Sequence, residues 1–565
     1  MALRFLGKGN WPALGQELLA AVGRRGYPSD YDRWRELHRL SAQDRRRMQA
    51  QIRAWPTPPK ISVILLADSA AKSSMRPSID SVLRQVYPNW ELVIGSADPS
   101  VPAAQYDLPA DAPIRIAPAA AGAPAALNSA LAAASGEYVC LLHPSDELPD
   151  HALFQIAQAI VRDGSIDMVY TDEDALTPTG EHATPFFKPD WSPEYFLAWM
   201  YTGQLAVFRT ELVRQLGWRG EFDGAHEYDL VLRLFAAGAN IQHIPDILYH
   251  RRQTTASSPT EDAAKRALES FLDAVHLPGR VEPGAAPGLH RIRTAISAQP
   301  KVSIVIPSAC RPITVGHRST WFALECIASI RRLSTYRNIE IIVLDNNDIP
   351  TDLAAALAPL DIRRIPFTEP FNLARKMNLG GFSAAGEHLI LLNDDVEVIT
   401  PDWIESMLEF SQQDQIGVVG VKLLFPDDTQ QHTGVVLLDC NPRHFFYRCP
   451  ADHPGYFHSS QVHRNWSAVT GACAMTRREI FKAVGGYSER FPLNYNDVDY
   501  CLKVQAIGKR IVYTPHAKLY HHESVSRPQK RPGEATAFKD FWAERFPRDP
   551  YYNPNLARHF RIKLP

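Results

Sequence analysis

The chain contains the same succession of short motifs twice, and this internal repeat restricts its fold more than any other feature. Four pairs of segments match in order: residues 61–66 with 302–307, 136–142 with 386–392, 227–233 with 497–503, and 248–250 with 519–521. The separation between the copies only grows along the chain, so the second copy carries longer insertions between the same elements. Because the period is far longer than that of a solenoid repeat, we expect two tandem domains.

Within each copy, short apolar runs alternate with helical patterns. In the second copy the runs at 302–306, 339–344 and 388–392 are nearly continuous in hydrophobic residues, and a helical pattern covers 321–333. Such runs are typical of a mostly parallel sheet that is covered by helices on both faces. The predicted fold class is therefore α/β, and ligands are expected beyond the carboxyl ends of the strands.

The predicted division has five parts, with an Arg-rich helical segment in front, a linker in the middle and a short helical tail. Their bounds are 1–57 for the helical segment, 58–255 for the first domain, 256–299 for the linker, 300–526 for the second domain and 527–565 for the tail. Ser41 is the expected cap of one N-terminal helix, and three Pro-Gly pairs mark the linker. The basic helices are interpreted either as a hairpin packed on the first domain or as a face for anionic lipid.

Composition excludes several classes of protein. The chain has 60 Lys and Arg against 62 Asp and Glu, a formal net charge of -2, which gives no electrostatic reason to expect nucleic-acid binding. Its 7 cysteines are scattered and odd in number, which argues against a disulfide framework and a zinc ribbon. We find neither a signal-peptide core nor an apolar run of about 20 residues, so a cytoplasmic location is expected.

Acidic side chains follow the predicted strands of the second copy. Asn393, Asp394 and Asp395 come directly after the run at 388–392, and Asp345 ends the run at 339–344. Carboxylates crowded at the end of a parallel sheet repel each other unless a cation lies between them, and a hard divalent ion shared with a diphosphate is the usual solution. Asp345 is suited to accept hydrogen bonds from a base or ribose.

Two further motifs add a base and an imidazole. Asp497 and Asp499 lie in a helical pattern, where one carboxylate is able to deprotonate an attacking hydroxyl. His521, or its neighbour His522, is able to complete a metal site as a neutral imidazole.

Together these motifs make the second copy resemble a family 2 glycosyltransferase of the GT-A fold, of the kind that builds bacterial surface polysaccharides. The resemblance rests on eight segments in the family's order: 303–307, 343–346, 371–374, 386–389, 391–395, 467–472, 496–499 and 519–524. The first copy is similar to the same family through 187–193 and 228–233. The resemblance implies transfer of a sugar, with inversion, from a nucleotide-sugar donor to a hydroxyl of a glycan or lipid-linked glycan, assisted by Mn²⁺ or Mg²⁺.

The resemblance also assigns roles to individual residues of the second copy. The catalytic base falls on Asp497, with Asp499 as the alternative, and the metal ligands on Asp395 and His521. The donor-binding positions are Pro307, Ser308, Arg311, Asp345, Asn372, Arg375, Asn378 and Asp394. The acceptor-binding positions are Trp466, Thr470 and Gly471.

The first copy lacks key residues of this set. Gly95 stands in place of Asp345 and Ser145 in place of Asp395, whereas Glu227 and His250 remain. A serine hydroxyl brings no charge to a divalent ion, so we expect the first domain to have lost sugar transfer and to serve as a scaffold, an acceptor platform or a dimerisation surface.

Several alternatives remain open at this point. The first domain is alternatively a second, metal-independent transferase that uses His143 and Glu227, which makes the chain bifunctional. The whole chain is alternatively a non-catalytic carbohydrate-binding protein or a nucleotidyltransferase. The sequence also leaves open peripheral association with the inner membrane face, and homo-oligomerisation.

Overall fold

The structure is a computed structural model that describes residues 30–67, 75–98, 108–109, 111–252, 261–315, 318–522 and 533–558. Of the predicted N-terminal segment, residues 1–29 lie outside this described part. So do residues 253–260, of which 256–260 belong to the predicted linker, residues 523–532, and residues 559–565 of the predicted tail.

The first domain is built around an eight-stranded sheet. Its strands are β1 (Ile61–Ala67), β2 (Trp90–Ser96), β3 (Ile114–Ile116), β4 (Tyr138–Leu142), β5 (Met168–Leu176), β6 (His182–Phe186), β7 (Ala206–Arg209) and β8 (Ile241–Arg252). The spatial order is β3-β2-β1-β4-β7-β5-β6, with β8 paired to β5. Strands β1 to β4 run parallel, and β7 is antiparallel to both of its neighbours, β4 and β5.

The second domain repeats this arrangement with more strands. A hairpin of β9 (Gly279–Pro283) and β10 (His290–Thr294) precedes it. Its strands are β11 (Val302–Pro307), β12 (Pro312–Val315), β13 (Arg318–Trp321), β14 (Ile339–Asp345), β15 (Ile362–Pro366), β16 (His388–Leu392), β17 (Val396–Val398), β18 (Ile416–Leu424), β19 (Gln430–His432), β20 (Val435–Leu438), β21 (Asn441–His444), β22 (Arg464–Asn465), β23 (Cys473–Arg477) and β24 (Arg510–His521).

The two large sheets share one strand order, which confirms the predicted α/β class with two tandem domains. The order β15-β14-β11-β16-β23-β18-β24 of the second domain corresponds strand by strand to β3-β2-β1-β4-β7-β5-β8 of the first. Strands β11 and β16 are buried along their whole length, because helices cover both faces of the sheet.

Helices connect the strands in both domains. In the first half of the chain they are Asp30–Leu37, Ala42–Ala54, Met75–Leu83, Ala123–Ala133, Ala152–Arg162, Pro193–Ala198, Thr210–Leu216, His226–Ala236 and Glu261–Ala274. In the second half they are Phe322–Leu333, Thr351–Leu357, Leu373–Ser383, Trp403–Ser411, Arg478–Ala483, Asn496–Ala506, Glu534–Trp542 and Pro554–Arg558. Within the part of the chain that the structure describes, none of the helices combines the length and apolarity that crossing a bilayer requires.

The N-terminal helices pack on the first domain. Ser41 caps the helix Ala42–Ala54 through a reciprocal capping box with Asp44. Met48 of this helix is buried in the core of the first domain, and Arg45 pairs with Asp150. The hairpin interpretation of this segment therefore agrees with the described residues.

The segment predicted as a linker, 256–299, is largely folded. Apolar residues at helical spacing, among them Leu268, Phe271 and Leu272, bury one face of the helix Glu261–Ala274 in the core of the first domain. Thr294, at the end of the following hairpin, donates a hydrogen bond to a backbone carbonyl of the second domain. The Pro-Gly pairs that suggested a linker lie in and around this hairpin, so the segment is a packed extension of the first domain.

The second domain and the tail are fixed to the first domain by buried polar contacts. Arg510 binds Glu194 through two guanidinium nitrogens, at 2.7 and 3.2 Å. Asn465 accepts hydrogen bonds from Ser192 and from the backbone of Glu194. From the tail, Asn553 donates to Asp172 of the first domain at 2.8 Å, and Asp549 accepts a hydrogen bond from Ser467 of the second domain at 2.6 Å. The C-terminal segment therefore contacts both halves of the molecule.

Candidate active site

Three neighbouring strands of the second domain end in polar residues at one edge of the sheet. Ser308 follows β11, Asp345 ends β14, and Asp394 and Asp395 follow β16. Since β14, β11 and β16 are adjacent and parallel, their carboxyl ends meet at the same place. The Ser308 hydroxyl donates to Asp394 Oδ2 at 2.6 Å and joins two of these strand ends.

His521 faces Asp395 across a short gap. His521 is the last residue of the long strand β24. This strand pairs with β17, which begins at the residue after Asp395. His521 Nε2 lies 3.1 Å from Asp395 Oδ1. His521 Nδ1 lies 2.5 Å from Gln431 Oε1, an acceptor that fixes the orientation of the imidazole ring.

The Asp395–His521 pair has the character of a cation site. Asp395 Oδ1 is buried and makes no hydrogen bond of acceptable geometry, and His521 Nε2 lies 3.1 Å from it. A carboxylate and an imidazole oriented by a side-chain amide are suitable ligands for Mn²⁺ or Mg²⁺ that also binds diphosphate oxygens.

The two carboxylates titrate differently. Burial raises the pKa of Asp394 to about 6, and the adjacent Asp395 adds to this shift. Burial alone would also raise the pKa of Asp395, but the nearby His521 outweighs it and the pKa of Asp395 is lowered. Asp395 is thus the carboxylate that stays charged, as a metal ligand must.

Asp497 lies beside Gly471, next to this cleft, whereas Asp499 lines another pocket with Arg375, Asn378 and Lys503. Asp497, in the first turn of the helix Asn496–Ala506, accepts a hydrogen bond from the Gly471 backbone N–H at 2.8 Å. Asp499 is two residues further along the helix and faces another direction. Its Oδ1 accepts a hydrogen bond from Trp542 Nε1 at 3.0 Å, so the geometry favours Asp497 as the residue that reaches a substrate.

A chain of direct contacts links Asp497 to the metal pair. Gly471, which donates to Asp497, is followed by Ala472, whose carbonyl accepts the Asn393 backbone N–H at 3.0 Å. The Asn393 amide nitrogen lies 3.2 Å from His521 Nε2. Side chains that are separated by more than 100 residues in the sequence therefore surround one cleft.

On the side of the cleft expected to bind the nucleotide, Asp345 is fully buried and paired. Its Oδ2 accepts two hydrogen bonds from the Arg364 guanidinium at 3.0 and 3.1 Å. Lys376 donates to the Ser308 carbonyl at 2.7 Å and to Asn346 Oδ1 at 2.9 Å. Burial lowers the pKa of Lys376, and its ammonium lies beside the end of β11.

Other predicted donor-binding residues are occupied elsewhere. Arg375 is 42% exposed and pairs with Glu369 and Glu489 on the surface. Asn372 caps the helix Leu373–Ser383, and the Asn378 side chain binds the backbone N–H and carbonyl of one residue, Tyr487. Pro307 is buried at the end of β11, and Arg311 lies exposed on the following loop.

The prediction that Trp466 contacts the acceptor is corrected by the structure. Trp466 is fully buried and packs between Phe445, at 5.1 Å between ring centroids, and Arg464, which lies 4.1 Å from its ring. Thr470 and Gly471, four and five residues later, border the cleft beside Asp497. The family resemblance placed Trp466 among the acceptor-binding positions, but the second domain uses this ring as part of its core.

Replacement of Trp466 is therefore expected to affect stability and not acceptor binding. We expect Trp466→Ala to lower the free energy of unfolding of the second domain by about 3–5 kcal/mol, because it leaves a large cavity. In the milder Trp466→Phe variant, which retains a buried ring, the KM for the acceptor should be unchanged. Denaturant unfolding and steady-state kinetics measure the two effects, and a raised acceptor KM in Trp466→Phe would restore the original prediction.

Gly471 lies so close to its neighbours that a side chain at this position would press on them. A Cβ at this position would lie 3.0 Å from both Asp497 Cβ and the Tyr487 hydroxyl. We expect Gly471→Ala to displace Asp497 and to lower kcat by roughly 10- to 100-fold, the size of effect that misplacement of a catalytic group produces. Gly220→Ala, where a Cβ would meet open space, is the matched control and should retain full kcat.

Three residues that the sequence analysis did not select also shape the cleft. Gln431 orients His521, Lys376 lies beside Ser308, and buried His432 faces the Thr470 backbone N–H with its Nε2 at 3.4 Å. Lys376 is adjacent to Arg375, which the sequence analysis had assigned to donor binding. The orientation of the helix about its axis determines which of the two side chains points inward. Gln431 and His432 lie on β19, which pairs with β18 as β6 pairs with β5 in the first domain, but neither residue belongs to one of the motifs that the sequence analysis used.

The corresponding cleft of the first domain is closed by contacts among its own residues. His143 Nε2 lies 3.1 Å from Glu227 Oε1. Asp146 accepts hydrogen bonds from the Tyr249 hydroxyl and from the Arg252 backbone, at 2.6 and 2.7 Å.

The strand registers correct one equivalence between the two domains. Glu91 binds Ser62 as Glu340 binds Ser303. Ser96, and not Gly95 as expected from the sequence, therefore stands in place of Asp345. The first domain thus has a serine and no carboxylate at this position of the strand end.

Comparison with known proteins identifies a family for both domains. The model described as glycosyl transferase family 2 matches residues 62–217 and 322–485. The two matched segments fall on the two sheets.

Two curated proteins are similar to almost the whole chain. Protein y4gI of Sinorhizobium fredii is 35% identical over 546 residues, which are 90% of this chain and 59% of that protein. O-antigen biosynthesis protein RfbC of Myxococcus xanthus is 34% identical over 557 residues, which are 94% of this chain and 42% of that protein. The chain thus spans about half the length of these relatives.

Among solved structures, residues 1–349 of S. aureus TarS in complex with UDP-GlcNAc align with 38% of this chain and 66% of that chain. The identity is 17% and the TM-score 0.33.

Proposed function

Because the chain belongs to glycosyl transferase family 2, we propose that its second domain transfers a sugar from a nucleotide-sugar to a hydroxyl of a glycan acceptor, with inversion and with a divalent metal. The observation that carries this proposal is the cleft in which the Asp395–His521 pair and Asp497 lie together. The carboxylate and the imidazole of the pair lie 3.1 Å apart, and the Asp497 carboxylate accepts hydrogen bonds from the Gly471 and Val498 backbone N–H groups.

The reaction requires few groups from the protein. Asp497 accepts the proton of the acceptor hydroxyl while that oxygen forms a bond to the anomeric carbon. The bond between this carbon and the diphosphate oxygen breaks from the opposite face, so the configuration inverts. A divalent ion held by Asp395 and His521 supplies charge stabilisation for the leaving diphosphate when it is bound. The ammonium of Lys376 lies near the strand ends and adds positive charge there.

We further propose that the first domain does not transfer sugar. Ser145 stands where Asp395 stands in the second domain, and Asp146 is held by Tyr249 and by the Arg252 backbone. The bond between His143 and Glu227 occupies the place of the base. The first domain then acts as the platform on which the second domain and the tail are packed.

The proposed setting is the synthesis of a cell-surface polysaccharide. The support is the name of the Myxococcus relative, an O-antigen biosynthesis protein, which the chain matches over 94% of its own length. Lipid-linked glycans are the acceptors that suit such a setting, with the N-terminal helices as the contact to a membrane face.

The test is a transfer assay on the full chain with pooled nucleotide-sugars, Mn²⁺ or Mg²⁺, and free and lipid-linked glycan acceptors. Mass spectrometry detects the product, and NMR determines its anomeric configuration. We expect product of inverted configuration, and we expect the first-domain variant Glu227→Gln to retain transfer. If Glu227→Gln removed one of two products, the chain would be bifunctional. If no donor were bound or transferred, a carbohydrate-binding role would replace the proposal.

A further inference from the structure

A second cluster of metal-ligating side chains lies in the first domain, outside the cleft. Asp174 on β5, His182 on β6 and His250 on β8 place one ligand atom each within 4.8 Å of one another. His182 Nδ1 lies 2.6 Å from Asp174 Oδ2, and His250 Nδ1 lies 2.6 Å from Asp174 Oδ1. The two imidazole rings meet edge to face, with 4.5 Å between their centroids.

The repeat shows that the fold does not require a carboxylate at this position. Tyr249 pairs with Glu173 in the first domain, as Tyr520 pairs with Leu424 in the second. The next residue is Asp174 in the first domain and Phe425, an apolar residue, in the second. A fully buried carboxylate is costly unless charged partners surround it, so its presence in the first domain indicates a purpose beyond packing.

His250 has also changed its partner relative to its counterpart. His521 of the second domain faces Asp395, but Ser145 at the equivalent position of the first domain has no carboxylate to offer. His250 instead directs its Nδ1 to Asp174. Both domains thus have an imidazole at this position, but its acidic partner follows β16 in the second domain and lies on β5 in the first.

We propose that Asp174, His182 and His250 form a transition-metal site, best suited to Zn²⁺, that is separate from the catalytic cleft. Two imidazoles and one carboxylate are a frequent zinc ligand set, whereas Mg²⁺ and Ca²⁺ prefer sites made of oxygen. Ligand atoms around a tetrahedral zinc ion lie roughly 3.3 Å apart, given bond lengths of about 2.0–2.2 Å, so small rotations of the three side chains admit the ion.

The surroundings fit such a site. The Asp174 side chain is fully buried, while the side chains of His182 and His250 are 19% and 18% exposed, which gives an ion a way in. The Tyr31 hydroxyl also donates to Asp174 Oδ2, in the way that hydrogen bonds orient metal-ligating carboxylates. Tyr31 belongs to the helix Asp30–Leu37, so the ion would also help to hold this N-terminal helix on the first domain.

Cobalt binding tests the proposal, because Co²⁺ in a tetrahedral site absorbs visible light strongly. The full chain should carry Asp395→Asn and His521→Ala, so that the second-domain pair does not contribute. We expect one equivalent of Co²⁺ with tetrahedral absorption, displaced by Zn²⁺, and a Zn²⁺-dependent rise in melting temperature. His182→Gln, at an edge strand, and Asp174→Asn should each remove the signal, whereas His276→Asn, which removes an exposed imidazole elsewhere in the first half of the chain, should not.

The proposal is wrong if the background variant binds no Co²⁺ with tetrahedral absorption, or if His182→Gln and Asp174→Asn leave that absorption intact. The three side chains and Tyr31 would then form a purely hydrogen-bonded cluster. Anomalous diffraction at the zinc edge from crystals of the unaltered chain, grown with Zn²⁺, gives the same answer without any variant. A peak among Asp174, His182 and His250 supports the site, and its absence there overturns the proposal.

Discussion

Replacing Asp497 by asparagine is expected to lower kcat by about 10²- to 10⁴-fold, the contribution of a positioned general base, while the Kd for the nucleotide-sugar stays unchanged. The asparagine amide has the same shape and its oxygen still accepts the Gly471 N–H, so the cleft should remain intact. It cannot take a proton from the acceptor. Steady-state kinetics and calorimetric titration of the donor in the presence of Mn²⁺ measure the two quantities.

Asp499→Asn is the matched control for this prediction. Asp499 is also an aspartate and lies on the same helix, but its Oδ1 accepts a hydrogen bond from Trp542. The side-chain oxygen of an asparagine is able to accept the same hydrogen bond. We expect kcat of Asp499→Asn to remain within a few-fold of the unaltered chain. A large loss of kcat in Asp499→Asn together with an active Asp497→Asn would transfer the role of base to Asp499.

Removing either member of the metal pair is expected to abolish the dependence of transfer on Mn²⁺. In Asp395→Ala and in His521→Ala the ion loses one of its two protein ligands. Because charge stabilisation by a metal contributes several kcal/mol in the transition state, kcat/KM should fall by on the order of 10³-fold. Donor affinity and transfer rate should be measured at increasing Mn²⁺ concentrations. In both variants the metal should no longer raise the affinity or the rate.

His522→Ala is the control for the metal pair. His522 is adjacent in sequence, but its Nε2 lies 3.9 Å from Glu397 and its ring packs near Phe322. The variant should keep the Mn²⁺ dependence of the unaltered chain. If His522→Ala lost this dependence and His521→Ala kept it, the assignment of the imidazole ligand would be reversed.

The repeat in the sequence was sufficient to predict the architecture, because strand runs and their order are encoded locally. Apolar runs such as 302–306 and 388–392 became β11 and β16 with little ambiguity. The connector was misjudged for a physical reason. The Pro-Gly pairs around the hairpin indicated a linker, and the apolar face of the helix Glu261–Ala274 was therefore not recognised in the sequence. Only tertiary packing shows which domain this face covers.

The site was predictable only in part, since sequence motifs identify residue types but not the directions of side chains. Asp395 and His521 face each other as their motifs suggested. Trp466, however, is turned into the core, and Lys376 occupies the place expected for Arg375. Side-chain direction depends on helix rotation and on long insertions, and neither can be read from one sequence.

The most direct test of the account is the position of Mn²⁺ in crystals of the full chain soaked with a nucleoside diphosphate. Anomalous diffraction at the manganese edge locates the ion without reference to activity. The account predicts a peak within ligand distance of Asp395 and His521, with the diphosphate bound to the same ion beside the end of β11. Manganese and nucleotide bound instead in the first domain, near Ser145, would contradict it.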